Sequence, residues 1–122
     1  MYQVIKRDGK ISEFYIAKIS NAIQKAFDAV ERQYHPSIID MLALRVTSAF
    51  EPKIRHDRIQ VEDIQDSVES ILIQSGYGDV AKCYILYRKQ REKIRNMKST
   101  ILDYKELVDS YVKATDWRVK EN

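Results

Sequence analysis

Apolar and polar residues are mixed in two short segments at the start of the chain, and apolar residues then recur at helical spacing. Segments 2–6 and 10–14 flank Asp8-Gly9, a dipeptide typical of two-residue hairpin turns because both positions tolerate a positive φ. We therefore expect a β-hairpin with Lys6 and Arg7 at its turn. The apolar residues that follow are spaced three and four apart, which predicts an amphipathic helix. They are Ile16, Ile19, Ile23, Phe27 and Val30.

A second and a third helix are predicted with a short strand between them. Ser37, followed by Asp40 three residues later, has the pattern of an N-cap, and the second helix should end near residues 51–52. Residues 59–61 alternate as a third strand would. The next helix should end at Gly76 in a left-handed cap. The apolar positions of these two helices are Leu42, Val46 and Phe50, then Ile64, Val68, Ile71 and Leu72.

A fourth helix is predicted to be capped by Asp79 and to run to about Asn96. Its buried stripe should consist of Val80, Cys83, Tyr84 and Tyr87. A last helix is predicted over about 103–113, with Tyr104, Leu107, Val108 and Tyr111 on one face. The pattern thus predicts a mainly α fold, a four-helix bundle capped by a β-hairpin or a three-stranded sheet, plus a C-terminal helix.

Composition narrows the class of protein. The 122 residues are 44% hydrophobic and 32% charged, with only three glycines and two prolines, as in a single globular domain made mostly of regular structure. No apolar run is long enough for a membrane span, and the polar N-terminus does not resemble a secretory signal. One cysteine, Cys83, excludes an internal disulfide framework, so we expect a reducing cytoplasm.

The sequence contains no recognisable catalytic motif. It has no Walker A loop, no dinucleotide-binding glycine pattern, no zinc-protease motif and no nucleophile elbow. His35 and His56 fall in predicted loops without a partner at metal-ligand spacing, and we interpret both as surface residues. Cys83 lies in an apolar helical stripe and is interpreted as a structural thiol. No metal site made of side chains is expected.

Positive charge is concentrated in two places, although the net charge is only +3. Between Lys82 and Lys98, seven lysines and arginines stand against one glutamate. A second, smaller cluster near the N-terminus is Lys6, Arg7 and Lys10, and Lys18 near the start of the first helix should point back toward the hairpin turn. Such clusters suit a local anionic ligand, since arginine binds phosphate oxygens as a fork and lysine as a point charge. For the 82–98 cluster, a solvated helix face and a nucleic-acid-binding surface remain alternatives.

Four separated blocks of the sequence closely resemble the ATP-cone family. They are V-x-K-R-D-G at 4–9, F-x-x-x-K-I-x-x-A-I at 14–23, I-x-V-E-D-I-Q-D-x-V-E at 59–69, and Y-x-x-V-A-K-x-Y-I-x-Y-R-x-x-R at 77–91. All four agree in order and spacing. The resemblance implies a small sheet capping a four-helix bundle. It also implies an allosteric module that binds ATP or dATP, with Mg²⁺, and so switches the activity of ribonucleotide reductases.

The same resemblance implies a set of nucleotide-binding residues. The hairpin and Lys18 should bind the phosphates, the third helix should approach the base or sugar, and the fourth helix should close the site. For the two tyrosines, plain core packing is the alternative. The residues are Val4, Lys6, Arg7, Asp8, Gly9, Lys18, Ile64, Gln65, Tyr84, Tyr87, Arg88 and Arg91.

The end of the chain suggests which kind of protein carries the module. Residues 109–122 contain D-W-x-V-x-E-N and resemble the junction that opens the catalytic domain of anaerobic ribonucleoside-triphosphate reductases. We expect residues 1–95 to be the ATP-cone and residues 96–122 a helical linker to a catalytic domain outside this chain. Glycyl-radical chemistry would belong to that domain alone. The parent is expected to form a homo-oligomer in the cytoplasm, with no membrane and no direct nucleic-acid partner. The alternatives are the nucleotide-sensing half of a reductase-gene repressor, which would need a zinc ribbon before the cone, and a basic helical module that binds nucleic acid.

Overall fold

The computed structural model describes residues 2–114, with side chains for residues 2–97. It contains four helices and three short strands, which confirms the mainly α fold with a small sheet. In chain order the elements are β1 (Gln3–Ile5), β2 (Ile11–Glu13), α1 (Ile16–Ala29), α2 (Pro36–Phe50), β3 (Arg58–Gln60), α3 (Val61–Gln74) and α4 (Gly78–Ala114). A single 3-10 turn, Glu51–Lys53, follows α2.

The three strands form one sheet in the order β2-β1-β3. β1 pairs antiparallel with β2, with Val4 opposite Ser12, and parallel with β3, with Val4 opposite Ile59. The predicted third strand is thus confirmed, although it ends at Gln60 and Val61 already begins α3. Val4 and Ile59 are 8% and 2% exposed, so this face of the sheet lies on the helices.

The hairpin turn differs from the predicted two-residue turn. Lys6 N donates to Lys10 O at 2.8 Å and Gly9 N donates to Lys6 O at 2.9 Å, which leaves a three-residue loop, Arg7-Asp8-Gly9. Of the Asp8-Gly9 pair only Gly9 has a positive φ, +85°. A type I′ turn needs both central residues in that region, whereas a three-residue loop needs one left-handed residue at its end. Asp8 instead accepts a hydrogen bond from Lys10 N at 2.9 Å.

The hydrophobic core lies where the sheet and the four helices meet. Its largest fully buried side chains include Phe27, Phe50, Leu42, Leu72 and Val80. The Phe27 ring makes edge-to-face contacts with Tyr34 and Tyr77, at centroid distances of 5.4 and 5.0 Å. Burying one such side chain stabilises a fold by about 1.5–3 kcal/mol, so a single change at Phe27 would remove a large fraction of the stability.

Two predicted helix caps are placed differently by the structure. α2 begins at Pro36, and its N-cap is His35, whose Nδ1 accepts a hydrogen bond from Ser37 N at 3.1 Å. Proline is favoured at the first helical position because it has no N–H to satisfy, so the helix starts before Ser37. His35 is exposed, as predicted. Asp79 lies inside the first turn of α4, where its carboxylate accepts from Arg32 Nη1 at 2.7 Å.

The predicted termination of α3 is confirmed. Gly76 has φ +86°, and Tyr77 N donates to Leu72 O at 2.9 Å while Gly76 N donates to Ile73 O at 3.1 Å. These bonds satisfy carbonyl groups at the end of the helix that would otherwise be unpaired.

α4 is continuous from Gly78 to Ala114, so the final helix predicted over 103–113 is part of it. The side chains of Tyr104, Leu107, Val108 and Tyr111 lie outside the described residues, as does the chain from 115 onward. In the predicted buried stripe, Val80 and Tyr84 are buried and Cys83 is half-buried, but Tyr87 is 51% exposed and its predicted burial is wrong. The chain divides into two compact units between Leu86 and Tyr87. Within the described part, no helix combines the length and apolar character needed to cross a bilayer.

Candidate ligand-binding site

A cavity of about 250 Å³ opens in the first unit beneath the sheet. The sheet contributes its core-facing side, α1 and α3 form two walls, and α4 contributes one tyrosine. The lining residues are Val4, Lys6, Ser12, Glu13, Phe14, Tyr15, Lys18, Ile19, Ala22, Val61, Ile64, Gln65, Val68 and Tyr84.

Local sequence explains why these residues share one space. Val4 and Ser12 are paired across β1 and β2, and directly opposed residues in a sheet point to the same face. Ile19 and Ala22 are three apart on α1, and Ile64 and Val68 are four apart on α3, so each pair covers one helical face. The cavity is therefore the gap between the sheet and two amphipathic helices.

Two lysines bring positive charge to the cavity. Lys6 follows β1 directly and Lys18 lies in the first turn of α1, and both line the cavity with exposed side chains. Lys18 Nζ lies 5.8 Å from the centroid of the Tyr15 ring. Two cations beside one concave space favour an anionic group there.

The starts of two helices add to this field. Tyr15, the N-cap of α1, and Val61, the first residue of α3, both line the cavity, and neither helix has a side-chain cap at its start. The first N–H groups of a helix lack intrahelical partners and carry partial positive charge. This partial positive charge adds to the charges of Lys6 and Lys18.

Gln65 is the polar residue of the α3 wall. Its Oε1 is buried, and no hydrogen-bond partner is found for it among the described residues. A buried acceptor without a partner costs about 1–3 kcal/mol, so a ligand N–H or O–H group in the cavity would relieve that cost. The remaining wall is apolar, with Phe14, Ile64 and Val68, and suits a flat aromatic ring.

The other hairpin residues lie beside the cavity and do not line it. Arg7 Nε is 3.7 Å from Glu62 Oε1 in the first turn of α3, with the two side chains 21% and 57% exposed. Asp8 and Gly9 shape the loop. Of the predicted hairpin residues, Val4 and Lys6 line the cavity, whereas Arg7 contacts Glu62 of α3.

The fourth-helix residues divide between the two units. Tyr84 is 8% exposed, so it packs in the core, and it also lines the cavity. Tyr87, Arg88 and Arg91 belong to the second unit, and their part in a site stays a prediction. Ser12, Phe14, Tyr15 and Val61 line the cavity but were not predicted. Ser12 would have followed from the correct hairpin register, which pairs it with Val4.

The described side chains, residues 2–97, include no group of three or more His, Cys, Asp or Glu residues arranged to hold a metal ion.

Comparison with known proteins gives this cavity a context. The family described as the ATP cone domain matches residues 2–93. The chain belongs to the ATP-cone family. The match includes the hairpin, the sheet, α1 to α3 and the first part of α4, and so every residue that lines the cavity.

The relatives of this ATP-cone chain are ribonucleotide reductases. It is 41% identical to the ribonucleoside-diphosphate reductase subunit alpha of Chlamydia pneumoniae, over 75% of this chain and 9% of that protein. It is 40% identical to a vitamin B12-dependent ribonucleoside-diphosphate reductase of Thermoplasma acidophilum, over 79% of this chain and 13% of the relative. The anaerobic ribonucleoside-triphosphate reductase of Haemophilus influenzae is 36% identical over 82% of this chain and 14% of its own length.

The chain therefore spans a small fraction of the length of the curated relatives it matches. The ATP-cone family supports a nucleotide-binding, regulatory role for the chain. Different reductase classes share the module, so the similarity alone does not select one class.

Proposed function

We propose that the chain binds ATP and dATP in the cavity described above and acts as the allosteric regulatory domain of a ribonucleotide reductase. The observation that carries this proposal is the convergence of Lys6 and Lys18 on an apolar cavity with the buried, unpartnered amide oxygen of Gln65. The two lysines match the phosphates of a nucleotide, and the largely apolar lining with the Gln65 oxygen matches its base and sugar.

The base and ribose would lie between α1 and α3. Val4, Ile64 and Tyr84 provide apolar surface, and Gln65 offers a hydrogen bond to a base or sugar donor. The triphosphate would then face Lys6 and Lys18, with Arg7 reaching it from the hairpin loop. Mg²⁺ would arrive with the phosphates.

The fourth-helix residues Tyr87, Arg88 and Arg91 are proposed to complete the site. Their support is the Y-x-x-V-A-K-x-Y-I-x-Y-R-x-x-R block, which falls within the family match at residues 2–93. Replacing Arg88 or Arg91 by alanine should therefore weaken triphosphate binding, and unchanged affinity in both variants would contradict this part of the proposal.

The parent enzyme is proposed to be an anaerobic ribonucleoside-triphosphate reductase located in the cytoplasm. Support comes from D-W-x-V-x-E-N at residues 116–122 and from the relative in Haemophilus influenzae. On this view residues 96–122 lead into a glycyl-radical catalytic domain, and the parent forms homo-oligomers whose balance responds to the bound nucleotide. The gene sequence beyond Asn122 tests this: a B12-dependent or diphosphate-reductase domain there would contradict the anaerobic assignment, and a stop codon would contradict any reductase parent.

Titration calorimetry of the purified chain with ATP, dATP and GTP in the presence of Mg²⁺ tests the binding itself. We expect saturable binding of ATP and dATP, and weaker binding of GTP. A ligand one hundredfold above its Kd should stabilise the folded chain by about 2.7 kcal/mol, a thermal shift of several degrees. The absence of heat and of a thermal shift at millimolar ATP and dATP would refute the proposal.

A single-stranded oligonucleotide serves as the contrasting ligand in the same assay. If the exposed basic residues of α4 bound nucleic acid, the logarithm of the affinity would fall linearly with the logarithm of the salt concentration. Tight, salt-dependent oligonucleotide binding without mononucleotide binding would favour that alternative.

A further inference from the structure

The hairpin loop is tied to the start of α3 by an ion pair. Ile5 of β1 is paired with Gln60 of β3 in the parallel ladder, so the residues two positions further on, Arg7 and Glu62, leave the sheet side by side. Their side chains meet with Arg7 Nε 3.7 Å from Glu62 Oε1. The residues between, Lys6 and Val61, both line the cavity. The ion pair therefore stands at the rim where the phosphates are proposed to bind.

Glu62 brings negative charge to the edge of a site proposed for a polyanion. At 57% exposure its carboxylate is stabilised mainly by water, and exposed ion pairs of this kind change equilibria by factors of up to about five. At 3.7 Å the two charges attract each other without a hydrogen bond, and a phosphate at the rim would attract the same guanidinium. The two interactions are therefore alternatives for Arg7.

We propose that Glu62 competes with the phosphates of the ligand for Arg7 and thereby lowers the affinity of the domain for triphosphates. This inference rests on the proposed function. In the ligand-free chain Glu62 holds Arg7 against α3; on binding, Arg7 exchanges the carboxylate for a phosphate oxygen, and Glu62 turns to solvent. Its negative charge also opposes the incoming phosphates, an effect that grows with the number of charges on the ligand.

Glu62→Gln tests the competition because glutamine keeps the length of the side chain and removes its charge. We expect the affinity for ATP to rise by about threefold to tenfold, from loss of the competing pair and of the repulsion. Binding of adenosine, which has no phosphate, should not change. Inorganic triphosphate, used as a third probe, should show the same gain as ATP.

Asp63→Asn is the matched control, because Asp63 carries the same charge in the same first turn of α3. If removing any negative charge from the first turn of α3 raised the affinity for ATP, both variants would show the same increase. Competition for Arg7 predicts a larger increase in affinity for Glu62→Gln. In an Arg7→Ala background the gain from Glu62→Gln should shrink markedly, since the contested partner is gone. Circular dichroism confirms that all variants remain folded.

Each outcome decides between the two proposals. If the unmodified chain binds ATP and Glu62→Gln leaves or weakens that affinity, the competition is refuted while the proposed function stands; a weaker affinity would mean that Glu62 orients Arg7 for the ligand. Equal gains for Glu62→Gln and Asp63→Asn, or for adenosine and ATP, also refute it. If the unmodified chain binds neither ATP nor triphosphate, both proposals fall.

Discussion

Ile5 and Gln60 face each other at the end of the parallel β1–β3 ladder, and this pairing sets the rim of the cavity. One residue further, Lys6 and Val61 both line the cavity. Two residues further, Arg7 meets Glu62 at 3.7 Å. Because parallel strands end at the same edge of a sheet, a hairpin turn and a helix start are brought together there. The charged side of the site is thus built by strand register.

Lys6→Ala and Lys18→Ala should each weaken binding of ATP. Hydrogen bonds to charged groups contribute about 1.5–3 kcal/mol, and both lysines line the cavity. The stability of the ligand-free chain should change by less than about 0.5 kcal/mol, because both side chains are exposed. Calorimetry gives the affinities, and urea unfolding gives the stabilities.

Lys25→Ala is the control for these variants, since Lys25 is exposed on α1 and does not line the cavity. It should leave ATP affinity unchanged. An equal loss in all three variants would show that binding depends on overall charge, and the cavity would no longer be the site.

Gln65→Met should change stability and binding in opposite directions. Methionine fills a similar volume without the buried, unpartnered oxygen, so the ligand-free chain should gain about 1 kcal/mol. Affinity for ATP should fall, because the hydrogen bond offered to the ligand is lost. Thermal unfolding with and without ATP measures both. The control is Gln74→Met, on the exposed side of the same helix, which should change neither the stability nor the affinity for ATP. A loss of stability in Gln65→Met would mean that the Gln65 amide is hydrogen-bonded in the ligand-free chain.

Gly76→Ala and Gly78→Ala should have opposite effects on folding although they are two residues apart. At Gly76, φ is +86°, and an alanine held in this region costs about 1–2 kcal/mol. Gly78 begins α4, and a Cβ there meets nothing within 4 Å, so alanine should stabilise by about 0.4–1 kcal/mol by restricting the unfolded chain. Chemical denaturation midpoints test both. Destabilisation by Gly78→Ala would contradict the assigned start of α4, and unchanged stability in Gly76→Ala would contradict the assigned end of α3.

Tyr2 should make stability fall at alkaline pH. Burial raises the pKa of its hydroxyl above the ordinary value near 10, and the negative charge of Glu51 raises it further. The folded state therefore holds the proton more tightly than the unfolded state, so this contribution is complete below about pH 10 and disappears as pH rises through the folded pKa.

Tyr2→Phe isolates this contribution, because the ring that stacks on Phe14 at 4.7 Å is kept. Urea unfolding from pH 8 upward should show the original chain losing more stability above pH 10 than the variant. Parallel curves would show that the Tyr2 hydroxyl has the same pKa in both states.

The hairpin shows how far sequence patterns predict this site. Asp8-Gly9 correctly located the turn, but a two-residue turn would have placed Val4 opposite Glu13, whereas the three-residue loop pairs it with Ser12. A shift of one residue exchanges the two faces of a strand, so a two-residue turn would not have placed Ser12 on the same face as Val4. The length of the loop is set by the backbone hydrogen bonds of Lys6 and Gly9, and the Asp-Gly pattern does not specify these bonds.

The sequence by itself determined the elements and the family of this protein. Spacings of three and four, the left-handed cap at Gly76 and the four ordered blocks act locally along the chain, so they can be recognised without a structure. Only the tertiary structure decided that β3 runs parallel to β1, that Lys6 and Lys18 share one cavity with Gln65, and that Arg7 meets Glu62. These relations join residues far apart in the chain, and they depend on which faces the sheet and the helices bury against one another. Local propensity carries no information about that choice.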